Sequence, residues 1–244
     1  MHATSTVFWL SLVTAATTAL GALPLIFWKE SKHGWQSYGN SVAAGCMLGA
    51  SVLLVVHGLD TNVLGVIAGI LIGALAVWLT QVIIEKHKAF HLKGMTAITA
   101  RKAFLIVSIM TIHSAMEGLS IGVSFAESGN FGLIVVAAMA LQNIPEGLAI
   151  SLVLVPRGVS ILAAAFWSFF SSVPQVLFAV PAYAFVERFH PFLAPGLGFA
   201  AGAMAWMCFK DLIPEAKQHL GGERVWLTVT LTGIATFLLD ALLN

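Results

Sequence analysis

Long apolar stretches, each the length of a bilayer crossing, succeed one another along this chain with only short charged intervals between them. Residues 3–28, 35–59 and 61–84 contain no charged side chain, and further apolar runs cover 103–126, 130–156, 158–186, 191–209 and 225–243. A helix needs about 20 apolar residues to cross hydrocarbon. Inside a bilayer only helices and closed barrels satisfy their own backbone hydrogen bonds. The runs therefore predict an all-α integral membrane protein of eight transmembrane helices, near 5–28, 36–58, 62–85, 101–126, 130–155, 159–187, 191–216 and 224–243. The interval Glu85–Lys102 is too short for a soluble domain, so residues 1–244 read as one transmembrane domain. No basic segment precedes the first run, which is expected to remain as a helix and not be cleaved as a leader.

Composition sharpens the exclusions. Charged residues are 9% of the chain, against about 25% in ordinary globular proteins, too few to cover a water-facing surface. A net charge of +1 offers no field for phosphates, which excludes a nucleic-acid partner. Cys46 and Cys208 lie inside apolar runs and make no disulfide framework. The partners expected are lipid and a small cargo, in a multi-pass protein of the cell membrane (the inner membrane in a bacterium); a homodimer is compatible with this reading.

Lys and Arg set the orientation. Lys29, Lys32, Lys86, Lys88, Lys93, Arg101, Lys102, Arg157, Lys210, Lys217 and Arg224 fall at one side of an eight-helix path, and Arg188 alone at the other. Both termini are expected outside, with the 85–102 interval in the cytoplasm.

Two internal repeats follow. His113-Ser-Ala-Met-Glu117-Gly-Leu-Ser-Ile is echoed 29 residues later by Gln142-Asn-Ile-Pro-Glu146-Gly-Leu-Ala-Ile, and Ala43-Ala-Gly-Cys-Met47 by Ala200-Ala-Gly-Ala-Met204. The copies fall on helices of opposite direction, 4 with 5 and 2 with 7. Inverted repeats of this kind belong to transporters with a site near the midplane.

The polar residues in those repeats carry the chemistry. His113 and Glu117 share one helix face one turn apart, as do Gln142 and Glu146. Carboxylates at membrane depth need a partner, and neither apolar run supplies a Lys or Arg. Imidazole nitrogen with carboxylate oxygen suits Zn²⁺, Fe²⁺ or Mn²⁺. The alternative is a pair of protonated glutamates bridging helices, or proton sites of a proton-coupled carrier for a small organic solute. Met47 is a soft candidate ligand, and Gln175 a pathway or kink residue. Pro145 can free the carbonyl of Leu141. His57, Asp60 and Glu127 at outer helix ends, and Asp211, Glu215 and His219 at the inner end of helix 7, read as solvated termini, the outer three also as attractors of cations. His87 and His91 stand one turn apart in a basic interval. Gly118-Leu-Ser-Ile-Gly122 matches a hydrolase elbow but lies within a spanning helix instead of a strand–turn–helix, and no H-E-x-x-H motif occurs. No enzyme is expected.

At Ala-Ala-Gly-Cys-Met-Leu-Gly-Ala-Ser (43–51), His-Ser-Ala-Met-Glu-Gly (113–118), Gln-Asn-Ile-Pro-Glu-Gly-Leu-Ala (142–149) and Gly-Ala-Met…Asp-Leu-Ile-Pro-Glu (202–215), the chain resembles the ZIP (Zrt/Irt-like protein) family of divalent metal transporters. The resemblance implies eight helices with both termini outside, and a metal site of His113, Glu117 and Glu146. Met47 is implied as a further ligand, with Gln142 and Asn143 beside it. It implies Zn²⁺ as the transported substrate, with Fe²⁺, Mn²⁺ and Cd²⁺ as alternatives, and uptake by helices 1, 4, 5 and 6 moving against the rest. Ser114, Gln142 and Gln175 depart from the commonest family pattern of Asn, His and Glu, which points to the GufA-type branch and weakens a second, bridged metal position.

The charge asymmetry generates a test. Lys88→Cys and Lys217→Cys should react with an impermeant thiol reagent only from the cytoplasmic side, and Asn130→Cys only from outside. Labelling of all three from one side would break the eight-helix path.

Overall fold

In the computed structural model the described residues are 2–27, 33–86, 97–155 and 158–243, and all regular structure among them is helical. The helices are α1 (His2–Leu20), α2 (Pro24–Phe27), α3 (His33–Leu59), α4 (Val63–Lys86), α5 (Ala97–Glu127), α6 (Gly129–Leu154), α7 (Ile161–Ser171), α8 (Val173–Arg188), α9 (Leu193–Met207), α10 (Ile213–Ala216) and α11 (Gly222–Leu243). Among the described residues, six segments are long and apolar enough to cross a membrane: Ala3–Ile26, Ser37–Leu59, Val63–Ile83, Gly129–Leu154, Ile161–Arg188 and His190–Ala216. This is a helical, multi-pass membrane protein. Large apolar side chains such as Leu64, Leu71, Leu162 and Leu177 face outward, as they must where the surrounding solvent is lipid.

Three of the expected helices are interrupted, each beside a proline. The first turns at Gly21–Leu23, where Gly21, Ala22 and Leu23 donate to carbonyls three residues back, immediately before Pro24. The sixth divides at Ser172, one residue before the Val173–Pro174 start of α8. The seventh consists of a 3₁₀ turn at His190–Phe192, then α9, then a π turn at Cys208–Leu212, then α10. Pro214 has no N–H for the carbonyl of Lys210, and the widened π turn absorbs the defect without ending the segment. By contrast, α6 runs through Pro145 unbroken.

The helices sort into two packing groups. α5 lies along α8, and α1 packs on α6, α7 and α8; α4 lies along α9, and α11 along α3. The groups meet where α3 touches α6 and α9 touches α5. A cavity of about 570 Å³, open at one side, sits at this seam between α4, α5, α8 and α9, with a lining of Leu119, Val123, Phe185, Phe199 and other side chains without a polar group.

The glycines of the two repeats set helix distances. A Cβ on Gly118 would strike the carbonyl of Gln175 in α8, and one on Gly147 the carbonyl of Thr18 in α1. Likewise Gly45 admits Thr232 of α11, and Gly202 admits Ile70 of α4. Each repeat thus carries a glycine one residue after its glutamate, or two before its methionine, against which a neighbouring helix closes. Small residues of this kind let membrane helices approach where lipid offers no hydrophobic drive.

Gly118→Val should therefore wedge α5 from α8. Overpacking of this sort costs about 1–3 kcal/mol, so thermal unfolding in detergent should show a clearly lowered Tm. An unchanged Tm would contradict the close approach.

Candidate metal centre

Two neighbouring polar contacts lie buried in the bundle. Glu117 of α5 meets Gln142 and Glu146 of α6, and Asn143 of α6 meets Gln175 of α8 and the Thr14 carbonyl of α1; His113 and Ser114 stand on α5 and Met47 on α3. Relative exposure is 0% at Glu117 and 2% at Glu146. His113, Ser114, Gln142, Asn143, Gln175 and Met47 are buried as well. The α5 geometry explains the first pair: i and i+4 put His113 and Glu117 on one face. The same spacing puts Gln142 and Glu146 on the face of α6 that meets α5.

The hydrogen bonds define which groups are satisfied. Gln142 Nε2 donates to Glu117 Oε1 at 2.6 Å and lies 3.0 Å from Met139 Sδ. Asn143 Nδ2 donates to the Thr14 carbonyl at 2.7 Å and to Gln175 Oε1 at 3.1 Å. Gln142 and Asn143 thus spend N–H groups on fixed partners and turn their oxygens elsewhere, whereas Gln175 accepts through Oε1 and keeps its Nε2 buried without a partner among the described residues. Gln142 Oε1, Asn143 Oδ1, Glu117 Oε2 and Glu146 Oε1 are all buried without a hydrogen-bond donor among the described residues. The Glu117 and Glu146 carboxyls also lie within hydrogen-bonding reach of each other. Two ionised carboxylates at about 4 Å repel by roughly 4 kcal/mol at an effective dielectric of 20, so this contact requires a proton between them or a cation beside them. No Lys or Arg pairs with either among the described residues.

Among the described residues, no three His, Cys, Asp or Glu side chains already converge on one metal-sized point. The structure joins Glu117, Glu146 and Gln142, and separately Asn143 with Gln175 and the Thr14 carbonyl. His113 and Ser114 stand on α5 in the turn before Glu117. Met47 is enclosed in α3, its carbonyl accepting from Ser51 Oγ at 2.8 Å. What the set can do chemically follows from its donors: hard oxygen from carboxylates and amides, with imidazole and thioether on adjoining elements, is a set for a divalent cation of borderline softness.

Several residues read as solvated termini are not. Asp211 accepts from Gln81 Nε2 at 2.8 Å, and Gln81 Oε1 accepts from Trp206 Nε1 at 3.2 Å, tying α4 to the π turn. His57 and Glu127 form an ion pair of 3.5 Å. Asp60 and His219 are exposed, in line with the expectation, and Glu215 is half-buried. His87 and His91 lie outside the described residues.

The contribution of α1 escapes the motif-based reading. Its signal is a hydroxyl stripe: Ser11, Thr14 and Thr18 recur at helical spacing in a charge-free helix, and all three are buried. Thr18 Oγ1 and Ser172 Oγ are 2.8 Å apart, and Thr17 Oγ1 donates to the Ala140 carbonyl at 3.1 Å. α1 is thus stitched to α6 and to the α7–α8 break.

Known proteins share this sequence pattern. Residues 80–177 match the profile of the family described as ZIP Zinc transporter. The chain is 32% identical over 229 residues to the zinc transporter GufA of Myxococcus xanthus, covering 87% of this chain and 88% of that protein. It is 31% identical over 235 residues to the zinc transporter ZIPB of Bordetella bronchiseptica, covering 88% and 74%. A longer protein of Arabidopsis thaliana is 42% identical over 231 residues; the match takes in 93% of this chain and 37% of that protein's length.

Proposed function

Because the chain belongs to the ZIP zinc transporter family, a family of carriers and not of enzymes, we propose that it moves zinc across a membrane into the cytoplasm. The cation is held at the midplane by Glu117, Glu146 and His113. Met47 and the oxygens of Gln142 and Asn143, or water, complete the coordination. The observation that carries the reading is the set of four buried acceptor oxygens on α5 and α6 without donors. A dication answers all four at once and removes the repulsion between the carboxylates; a proton shared between Glu117 and Glu146 leaves the two amide oxygens unmet.

The path we propose has eight crossings, with α5 and α11 added to the six apolar segments, and both termini outside. The group of α1, α5, α6, α7 and α8 carries the cation past the group of α3, α4, α9 and α11. Fe²⁺, Mn²⁺ and Cd²⁺ share the required coordination chemistry and compete for the same place.

The test is zinc uptake into proteoliposomes, with the other ions as competitors. Glu117→Ala and Glu146→Ala should each lower uptake roughly 10–100-fold, while the purified variants keep their helical circular dichroism. Undiminished uptake in both would remove the site. Zinc should also raise the Tm of the unmodified chain; a chain stabilised by no divalent metal would favour a proton-coupled carrier of an organic solute.

The number of ions follows from charge. A second dication a few ångströms from the first needs shared carboxylates to offset repulsion, and α8 offers the neutral Gln175, already engaged with Asn143. One tight zinc at the midplane of each chain is expected by isothermal titration, lost on Glu117→Ala with Glu146→Ala. Gln175→Glu should strengthen a second position, and two equivalent tight sites in the unmodified chain would refute the charge count.

A further inference from the structure

The outer end of the seam holds a second pair of ligating side chains that the midplane site does not use. His57, in the last turn of α3, brings Nδ1 to 3.5 Å from Glu127 Oε1, in the last turn of α5. That separation exceeds the 2.7–2.9 Å of a charge-assisted hydrogen bond. It is close to the roughly 3.3–3.4 Å between nitrogen and oxygen bonded at 2.0–2.1 Å to a tetrahedral zinc ion. The second carboxylate oxygen, Glu127 Oε2, is buried and has no hydrogen-bond partner among the described residues.

The imidazole is also oriented for ligation. Its ring stacks on Phe131 with centroids 3.9 Å apart and planes 10° from parallel. Phe131 is fully buried at the start of α6, and its N–H donates to Ser128 Oγ at 3.2 Å. Stacking occupies the ring's face; a metal binds at its edge, in the ring plane. The support therefore fixes the plane in which the ring nitrogens lie. The side chains are 22% and 24% exposed, open enough for water to complete a coordination sphere. Asp60 follows the end of α3 and is exposed.

The placement relative to the midplane is regular. His57 is ten residues beyond Met47 on α3, and Glu127 ten residues beyond Glu117 on α5. At 1.5 Å per residue each stands about 15 Å along its helix from the proposed metal centre. The two helices belong to different packing groups, so the pair straddles the seam where the cation would enter.

We propose that His57 and Glu127 form an outer station for a divalent cation, binding zinc through Nδ1 and the carboxylate with water in the remaining positions, as its first stop before the midplane. As a step of uptake this rests on the transport reading above; as a binding site it does not.

The experiment uses the full chain in nanodiscs carrying Glu117→Gln and Glu146→Gln, which disables the midplane centre. Zinc titration followed by the His57 imidazole resonances should show one bound zinc shifting that ring. The shift should vanish on adding Glu127→Gln, and on His57→Phe titration calorimetry should register no zinc at this pair; His57→Phe keeps an aromatic ring on Phe131 and removes the nitrogen. In the otherwise unmodified chain, His57→Phe should raise the uptake KM roughly tenfold with a smaller change in kcat, as expected for lost binding in the ground state. A His57 ring indifferent to zinc overturns the station, as does a His57→Phe effect confined to kcat. Zinc uptake without zinc at the pair overturns the station alone. Zinc at the pair in a chain that moves no metal upholds the station and overturns the transport reading alone.

Discussion

Two carboxyl groups in contact inside a membrane, with no Lys or Arg paired to them among the described residues, set the terms for everything around them. Glu117 and Glu146 cannot both be ionised there unless positive charge joins them; Gln142 donates to Glu117 Oε1, and Glu117 Oε2 and Glu146 Oε1 have no partner among the described residues. The amides show the same bias. Gln142 and Asn143 point their N–H groups at Glu117, the Thr14 carbonyl and Gln175, and their oxygens into the unpaired space. A protein that needed only a quiet core at this depth would place apolar side chains there. The arrangement instead keeps buried acceptor oxygens unpaired among the described residues, the deficit on which the proposed cation site rests.

Holding the deficit in place requires close helices, and the residues that permit it are coupled to those that bear the charge. The Glu-Gly order in both repeats puts a charged side chain and a missing one side by side, so that α5 can close on α8, and α6 on α1, right next to the carboxylates. Met47 and Met204 follow glycines that admit α11 and α4 in the same manner. The contacts exchange in pairs, as the repeats do: helix 4 meets 6 as 5 meets 1, and helix 2 meets 8 as 7 meets 3. One short pattern used twice in opposite directions thus spaces both halves of the bundle.

Much of this was legible in the residues. Charge-free runs located the helices, since a charge inside hydrocarbon is costly enough to mark a boundary wherever it appears. The offset of 29 residues located the pairing of Glu117 with Glu146, because one helix and one tight connection bring equivalent positions back to the same depth. Less legible was anything resting on backbone carbonyls. Thr14 contributes its C=O, which every residue possesses, so no side-chain motif announces it. The turn at Gly21–Leu23, the break at Ser172 and the π turn at Cys208–Leu212 each stand beside a proline, yet Pro145 interrupts nothing; a proline removes one donor, and the surrounding packing decides how the chain responds. Asp211 and Glu127 looked like solvated ends because sequence distance from a run's edge does not reveal the neighbour, Gln81 or His57, that arrives from another helix.

The cavity at the seam between α4, α5, α8 and α9 bears on how the two groups can slide. Its walls present hydrocarbon to hydrocarbon, and in a bilayer acyl chains fill such a space. Shifting one wall along the other then trades contact with lipid for contact with protein, two media of nearly equal polarity, so the transfer free energy scarcely changes along the path. The resistance that remains is steric, set by aromatic side chains such as Phe185 and Phe199 passing one another. If the two groups slide as proposed, such a seam would act as a lubricated bearing, with a stiffness set by the fluidity and chain length of the surrounding lipid as much as by the protein.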